Sequence, residues 1–268
     1  INKNMKSLNC KNCRNCNEEN NFYELFSLGK LSYTGKFPKN ENIDIPKSEI
    51  KLVICENCKL VQVSKEFDLN YMYDDNYGYR TGINHTMKSH VKSIVNELSL
   101  KKNFLSKGDH VLDIASNDAT LLNSYSKNLT RVGIDPTINK YRKFYKNIDF
   151  KISNFFSKKR LINVIKNNKF KTITALAVFY DLKNPNQFLK EISEIIDEKK
   201  GIFILEFQDL LSIIKNNLFD TICHEHLGYY STKIILQMVK KNNLKILDIK
   251  KNQINGGSTR FYICTKDA

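Results

Sequence analysis

From residue 109 onward the chain alternates apolar strand-like runs with helical stretches, and no other feature limits its fold so strongly. The runs "HVLDIA", "RVGID", "FKIS", "TITALAVF", "GIFILEF" and "LKILDI" are short and rich in β-branched residues. That is the pattern of strands buried on both faces of a sheet. Of the helical stretches the clearest is "NPNQFLKEISEIIDEKK", which sets Phe188, Leu189, Ile192, Ile195 and Ile196 at helical spacing. Strands alternating with helices predict a mainly parallel α/β sheet. The glycine-rich turn "NQINGGS" and the run "TRFYICT" follow the last of these strands, so the sheet is expected to close with an antiparallel hairpin.

Ligands of such sheets sit at the carboxyl ends of the strands, above the turn into the first helix. A dinucleotide site calls for GxGxxG, and the chain has no such pattern. The first strand runs instead into "DIASNDATLL", which offers Asp113, Ser116, Asn117 and Asp118. The second ends in "GIDP", with Asp135 where an acid can grip a ribose and Pro136 beside it. Acids after both strands suit a cationic ligand with ribose hydroxyls, and S-adenosylmethionine fits that description. Each aspartate alone is equally well explained as a helix cap; their order and spacing make the pair informative.

The front of the chain has a different character. "CRNC" (Cys13, Cys16) and "CENC" (Cys55, Cys58) are two CxxC pairs, and two such turns complete a tetrahedral thiolate shell that suits zinc. Cys10 also pairs with Cys13 at this spacing, so the register is open; we read Cys13 and Cys16 as ligands and Cys10 as the spare. Four thiolates leave no position for a substrate, so the ion is expected to be structural. Between the pairs, "FYELFSLG" and "KLVICENCKLVQV" read as short strands. The expected organisation is a zinc-binding module over 1–70, a connector with helical character over 71–108 and a cofactor-binding domain over 109–268. In the connector, the tyrosines of "NYMYDDNYGYR" either pack on the core or offer flat faces and hydroxyls to a ligand. "HTMKSHVKSIVNEL" is a helix with Met87, Val91, Ile94 and Leu98 on one face, expected to be core.

A formal net charge of +15 invites a nucleic-acid partner. Only six of the 43 basic residues are arginine, however, and the lysines are scattered beside asparagines. We read a solvated surface, with no nucleic-acid partner and some attraction for anionic substrates. No run approaches the ~20 apolar residues of a membrane span, and no leader is evident, so no membrane partner is expected and the cytoplasm is the expected compartment.

The paired "CRNC…CENC" opening is followed in order by "YDDNYGYRTG" at 73–82, "DIASNDATLL", "GIDP", "VFYDLKNP", "HEHLGYYS" and "NGGSTR". In these motifs and in their order the chain resembles the zinc-containing sugar-nucleotide C-methyltransferases along nearly its whole length. The resemblance implies a Rossmann-like class I methyltransferase fold with a small zinc module, S-adenosylmethionine as cofactor and a nucleotide-sugar as acceptor. The chain departs from the pattern at Ala115 and Ala119, where the family usually has glycine and where a methyl group would crowd the cofactor. It also has Cys223 where some members have tyrosine before "HEH". Members of the family continue into a further C-terminal domain.

The resemblance places "HEH" at the methyl-acceptor site. Carbon methylation needs a base to remove a proton and a donor to hold the resulting enolate charge. We take His226 as the expected base, Glu225 and His224 as its support, and Tyr77, Tyr79, Tyr229 and Tyr230 as acceptor contacts. Two other readings of the stretch stand beside this one. As a metal site it would need His224 and His226 on one face of a strand plus further ligands, and none is evident nearby. As a plain polar loop it would lead into a helix capped by Ser231. For the whole chain, O-methylation of a sugar or related small acceptor is the first alternative, and a non-catalytic zinc-module scaffold is the second.

Overall fold

The computed structural model describes residues 8–9, 11–35, 38, 40, 42–73, 77–102, 104–166 and 169–268. The N-terminal strands are β1 (Leu8–Asn9), β2 (Phe22–Ser32), β3 (Lys47–Cys55), β4 (Val61–Val63) and β5 (Lys65–Glu66). The strands beyond them are β6 (His110–Ile114), β7 (Thr130–Ile134), β8 (Phe150–Ile152), β9 (Thr172–Leu176), β10 (Ile202–Gln208), β11 (Gly228–Tyr229), β12 (Leu244–Asn252) and β13 (Ser258–Thr265).

A central seven-stranded sheet has the order β12-β13-β10-β9-β6-β7-β8. Its strands β6 to β10 are parallel, and β13 runs antiparallel to both β10 and β12. The expected parallel sheet with a closing hairpin is therefore present, with the returning strand inserted between β10 and β12. Strand order reverses between β6 and β9, which opens a crevice at their carboxyl ends.

Alternation along β10 shows how the two layers are filled. Ile202 and Ile204 face the helix His85–Leu100, whose Val91, Ile94, Val95 and Leu98 pack on that side. Phe203, Leu205 and Phe207 face the helices Pro185–Ile195 and Thr232–Lys241. Each of these helices thus brings one apolar stripe at helical spacing to its face of the sheet. The helix read over 184–200 ends earlier than its sequence pattern suggests, because Ile196 leaves it to bridge Phe170 and Asp197 turns the chain toward β10. Met87, expected in the core, is half-buried.

A second sheet has the order β11-β4-β3-β2. Tyr229 pairs with Val61 and Gly228 with Gln62, so the "HEHLGYY" stretch adds the last strand to a sheet otherwise built from the N-terminal region. Cys13, Cys55 and Leu60 belong to the same buried cluster as the central sheet and its helices. Among the described residues no helix is long and apolar enough to cross a membrane.

Candidate active site

A cavity of about 590 Å³ opens at the carboxyl ends of β6, β7 and β9 and reaches the bend that follows the short 3-10 turn Phe219–Thr221. Two groups of side chains meet in it.

The first group surrounds the turn after β6. Asp113 is fully buried and accepts a hydrogen bond from Thr174 Oγ1 at 2.5 Å. Burial pushes its pKa up to about 7; the Thr174 hydroxyl opposes the shift and the neighbouring Asp135 carboxylate adds to it. Ala115, Asn117 and Ala119 all have left-handed backbones, with φ of 58°, 46° and 59°. Glycine adopts this region freely, whereas alanine gives up roughly 1–2 kcal/mol. The turn therefore favours glycine for its backbone shape. Of the two alanines, only Ala115 lines the cavity; Ala119 is buried against Leu122, Ile138 and Tyr145, so its methyl group does not crowd a ligand.

Asp135 receives the amide of Asn117 on one oxygen (2.9 Å) and the amide and hydroxyl of Thr137 on the other (2.6 and 2.5 Å). Burial raises its pKa and these donors oppose the rise. Ser116 bonds the Tyr145 hydroxyl at 2.8 Å, and Asn117 Oδ1 accepts the Thr81 amide at 2.9 Å. Asp113, Ser116, Asn117, Asp135 and Pro136 all line the cavity. Asp118 does not: it pairs with Arg80 at 3.3 Å and accepts the Gly82 amide at 3.0 Å, tying the turn to the connector.

The second group lies opposite. His226 Nδ1 donates to the Thr221 carbonyl at 2.7 Å. A carbonyl only accepts, so Nδ1 carries a proton, and in the neutral ring Nε2 is the basic nitrogen. The Thr221 hydroxyl, 3.2 Å from the same nitrogen, donates to Gln208 at 2.6 Å, and the imidazole lies 4.0 Å from the Tyr180 ring, centroid to centroid. Glu225 Oε1 is buried with no partner among the described residues. Burial raises the Glu225 pKa, and His226 opposes it. Tyr77 and Tyr79 line the cavity as well.

His224, Tyr229 and Tyr230, expected at the acceptor site, are not among the residues that line the cavity. Residues 223–225 form a bend rather than a strand, so the two histidines part company. His224 is fully buried between Tyr33 and Phe67 (4.8 and 4.7 Å between centroids), with Nε2 donating to the Ser48 carbonyl at 3.1 Å. Burial holds its pKa down. Tyr229 belongs to β11 and packs in the core of the N-terminal sheet. Tyr230 is enclosed with Phe179 and Phe207. Met87, read as core, also lines the cavity.

Three residues that the sequence reading did not select face the same space: Tyr73, Tyr180 and Asp181. Tyr73 donates to Asp181 Oδ2 at 3.0 Å, while Asp181 Oδ1 is buried without a partner among the described residues. The available signal was position: "FYD" follows the carboxyl end of a parallel strand, where ligands gather. Asp74, Asp75 and Asn76 of the connector motif lie outside the described residues.

Away from the cavity, the sulfurs of Cys13, Cys16, Cys55 and Cys58 all lie within 4.8 Å of one another. Cys13 and Cys58 are 3.5 Å apart, Cys16 and Cys55 3.6 Å. A tetrahedral ion at ~2.3 Å from each sulfur implies edges of ~3.8 Å, so the cage has the size for one. Both turns are built alike. The Cys13 amide donates to Glu18 O and the Cys55 amide to Leu60 O, while Asn17 N returns to Cys13 O and Lys59 N to Cys55 O. Asn17 and Lys59 both have left-handed φ, at 61° and 65°. Cys10 lies outside the described residues.

A family model described as a methyltransferase domain matches residues 83–249. The C-methyltransferase NovU of Streptomyces niveus is 22% identical over 211 residues, covering 78% of this chain and 50% of that protein. The chain thus spans about half the length of this curated relative. Among solved structures, an S-adenosylmethionine-dependent methyltransferase from Clostridium acetobutylicum aligns with a TM-score of 0.52 at 13% identity, covering 66% of this chain and 92% of the other. The magnesium protoporphyrin IX methyltransferase of Synechocystis with bound SAH aligns with a TM-score of 0.50 at 14% identity, over 70% and 90% of the two chains. At these identities the structural matches speak for the fold.

Proposed function

The chain belongs to the methyltransferase-domain family, and we propose that it transfers a methyl group from S-adenosylmethionine to a carbon of a nucleotide-linked keto-deoxysugar. The Rossmann-like class I fold supports the cofactor. The C-methyltransferase relative supports the carbon acceptor. When bound, the cofactor supplies a sulfonium methyl group open to in-line attack, so position and orientation of the acceptor provide much of the acceleration.

Asp135 would take the ribose hydroxyls, and Asp113, Ser116 and Asn117 would surround the methionine end. His226 supplies the base. The observation that carries this reading is the Nδ1–Thr221 bond, which leaves Nε2 of the neutral ring able to accept a proton in a cavity shared with the turn after β6. Glu225 grips a sugar hydroxyl or orients the acceptor, and Tyr77 and Tyr79 offer their faces and hydroxyls. The four cysteines hold a structural zinc ion, since a filled thiolate shell has no open position.

The test is exchange of the acceptor's α-hydrogen with deuterated water, read by mass spectrometry or NMR, together with cofactor binding by calorimetry. Exchange at carbon is the expected result. Turnover without exchange would favour O-methylation, a reading supported by the unpartnered carboxylate oxygen of Glu225, which suits a hydroxyl. Absence of cofactor binding would leave only the scaffold reading.

A further inference from the structure

We propose that Asp181 acts as a neutral acid, donating a hydrogen bond to the acceptor oxygen that gains charge as His226 removes the carbon-bound proton. This rests on the C-methylation reading above. In that step the C–H pair moves into the carbon–carbon bond, the carbonyl pair moves onto oxygen, and the proton goes to His226 Nε2. Asp181 keeps its own proton throughout.

Three observations support the assignment. Asp181 lines the cavity with only 8% of its surface exposed. It is carried there by the short turn Phe179–Asp181 at the carboxyl end of β9, on the side from which His226 and Glu225 are also presented. Its hydrogen bonding does not match a carboxylate. Tyr73 donates to Oδ2, and Oδ1 has no donor among the described residues, although a buried carboxylate needs several donors or a cation. No lysine or arginine is among the described residues that line the cavity.

The titratable groups facing Asp181 are Tyr73, Tyr77, Tyr180, Cys223, Glu225, His226, Tyr229 and Tyr230. Burial drives the Asp181 pKa well above the usual carboxylate range. His226 and the Tyr73 hydroxyl oppose the rise, and Glu225 and Cys223 add to it. A carboxyl kept neutral by burial is a strong donor to a developing oxyanion, because a preorganised donor costs no reorganisation as the charge forms.

The experiment compares wild type with Asp181→Asn and Asp181→Ala, using a nucleoside-diphosphate-linked 4-keto-6-deoxyhexose as probe. Exchange and methyl transfer are followed across pH. The amide can keep its oxygen toward Tyr73 and offer its NH2 as donor, so Asp181→Asn should stay within about 10-fold of wild type. Asp181→Ala should lose about 100-fold or more, with calorimetric cofactor affinity retained. Wild type should lose activity on the alkaline side as Asp181 ionises, and Asp181→Asn should lack that limb. Infrared difference spectra should show a protonated carboxyl band in wild type at neutral pH that is missing from Asp181→Asn. An Asn variant as slow as the Ala variant, or no such band, overturns the assignment for Asp181 alone. Wild type that exchanges no carbon-bound hydrogen overturns the C-methylation reading, and the donor role with it.

Discussion

The backbone carbonyl of Thr221 holds the Nδ1 proton of His226 at 2.7 Å. Because the acceptor is main chain, a side-chain substitution does not remove it, and Nε2 of the neutral ring is left to act as a base. His226→Ala should therefore lower turnover by about 100-fold or more, the scale of a positioned general base. Cofactor affinity and zinc content should be unaffected. His226→Gln keeps shape and some hydrogen bonding without basicity and should be nearly as poor. Near-native turnover in the Gln variant would make the residue a binder.

Gly35 has a φ of 74°, and a β-carbon there would stand 2.3 Å from Glu225 Oε1. Gly35→Ala combines a left-handed alanine, worth roughly 1–2 kcal/mol, with displacement of the Glu225 carboxylate. That carboxylate is the end of a flexible side chain, so it should move and the chain should still fold. We expect weaker acceptor binding by about 10-fold with unchanged cofactor affinity; equal losses for both ligands would mean a general collapse of the cavity.

Elemental analysis of freshly purified protein should find about one zinc per chain. Cys58→Ser or Cys16→Ser should lose the ion and lower the thermal midpoint, whereas Cys10→Ser should keep it. A Cys10→Ser protein without metal would show that the first turn uses another register.

Asp113 contributes to stability in a direction set by its raised pKa. Its folded value of about 7 lies above the unfolded carboxylate value. The contribution is present in full below the unfolded pKa and declines as pH rises through about 7. Asp113→Asn should remove that decline and stabilise the chain above neutrality, by a few kcal/mol on the scale of ~1.4 kcal/mol per pKa unit. Denaturant titrations at pH 5 and pH 8 measure it. A stability difference between wild type and variant that is the same at both pH values would contradict the buried-acid picture.

The central sheet was legible because each of its strands is a short β-branched run, and even β8, three residues long, follows from "FKIS". β11 was not legible, since two residues have no periodicity of their own and pair only through a distant partner. Asp113 and Asp135 could be read from position at strand ends. His224 and His226 could not be told apart, because alternation assigns faces only in a strand, and their segment is a bend. Tyr230 sits two residues beyond a loop and reads as polar, yet its ring is enclosed in the core. Asp181 looked like a residue of a family motif and nothing more; its significance comes from burial and a missing donor, which no spacing reveals. Ala115 and Ala119 stood out for their methyl groups, while the backbone at both positions turned out to be the constraint.

The pairing of β11 with β4 also bears on the order in which the molecule can assemble. Val61 and Tyr229 are far apart along the chain but adjacent in one ladder, and closing so long a loop is entropically costly before any contact rewards it. The N-terminal hairpin β2–β3 and the parallel strands can form from nearer contacts. Part of the frame of the bend that holds Glu225 and His226, the β11–β4 ladder and the Val63 amide on the Leu227 carbonyl, forms only once residues 61–63 meet residues 227–229. A protease pulse during refolding should therefore find this bend among the last segments to become protected, after the central sheet.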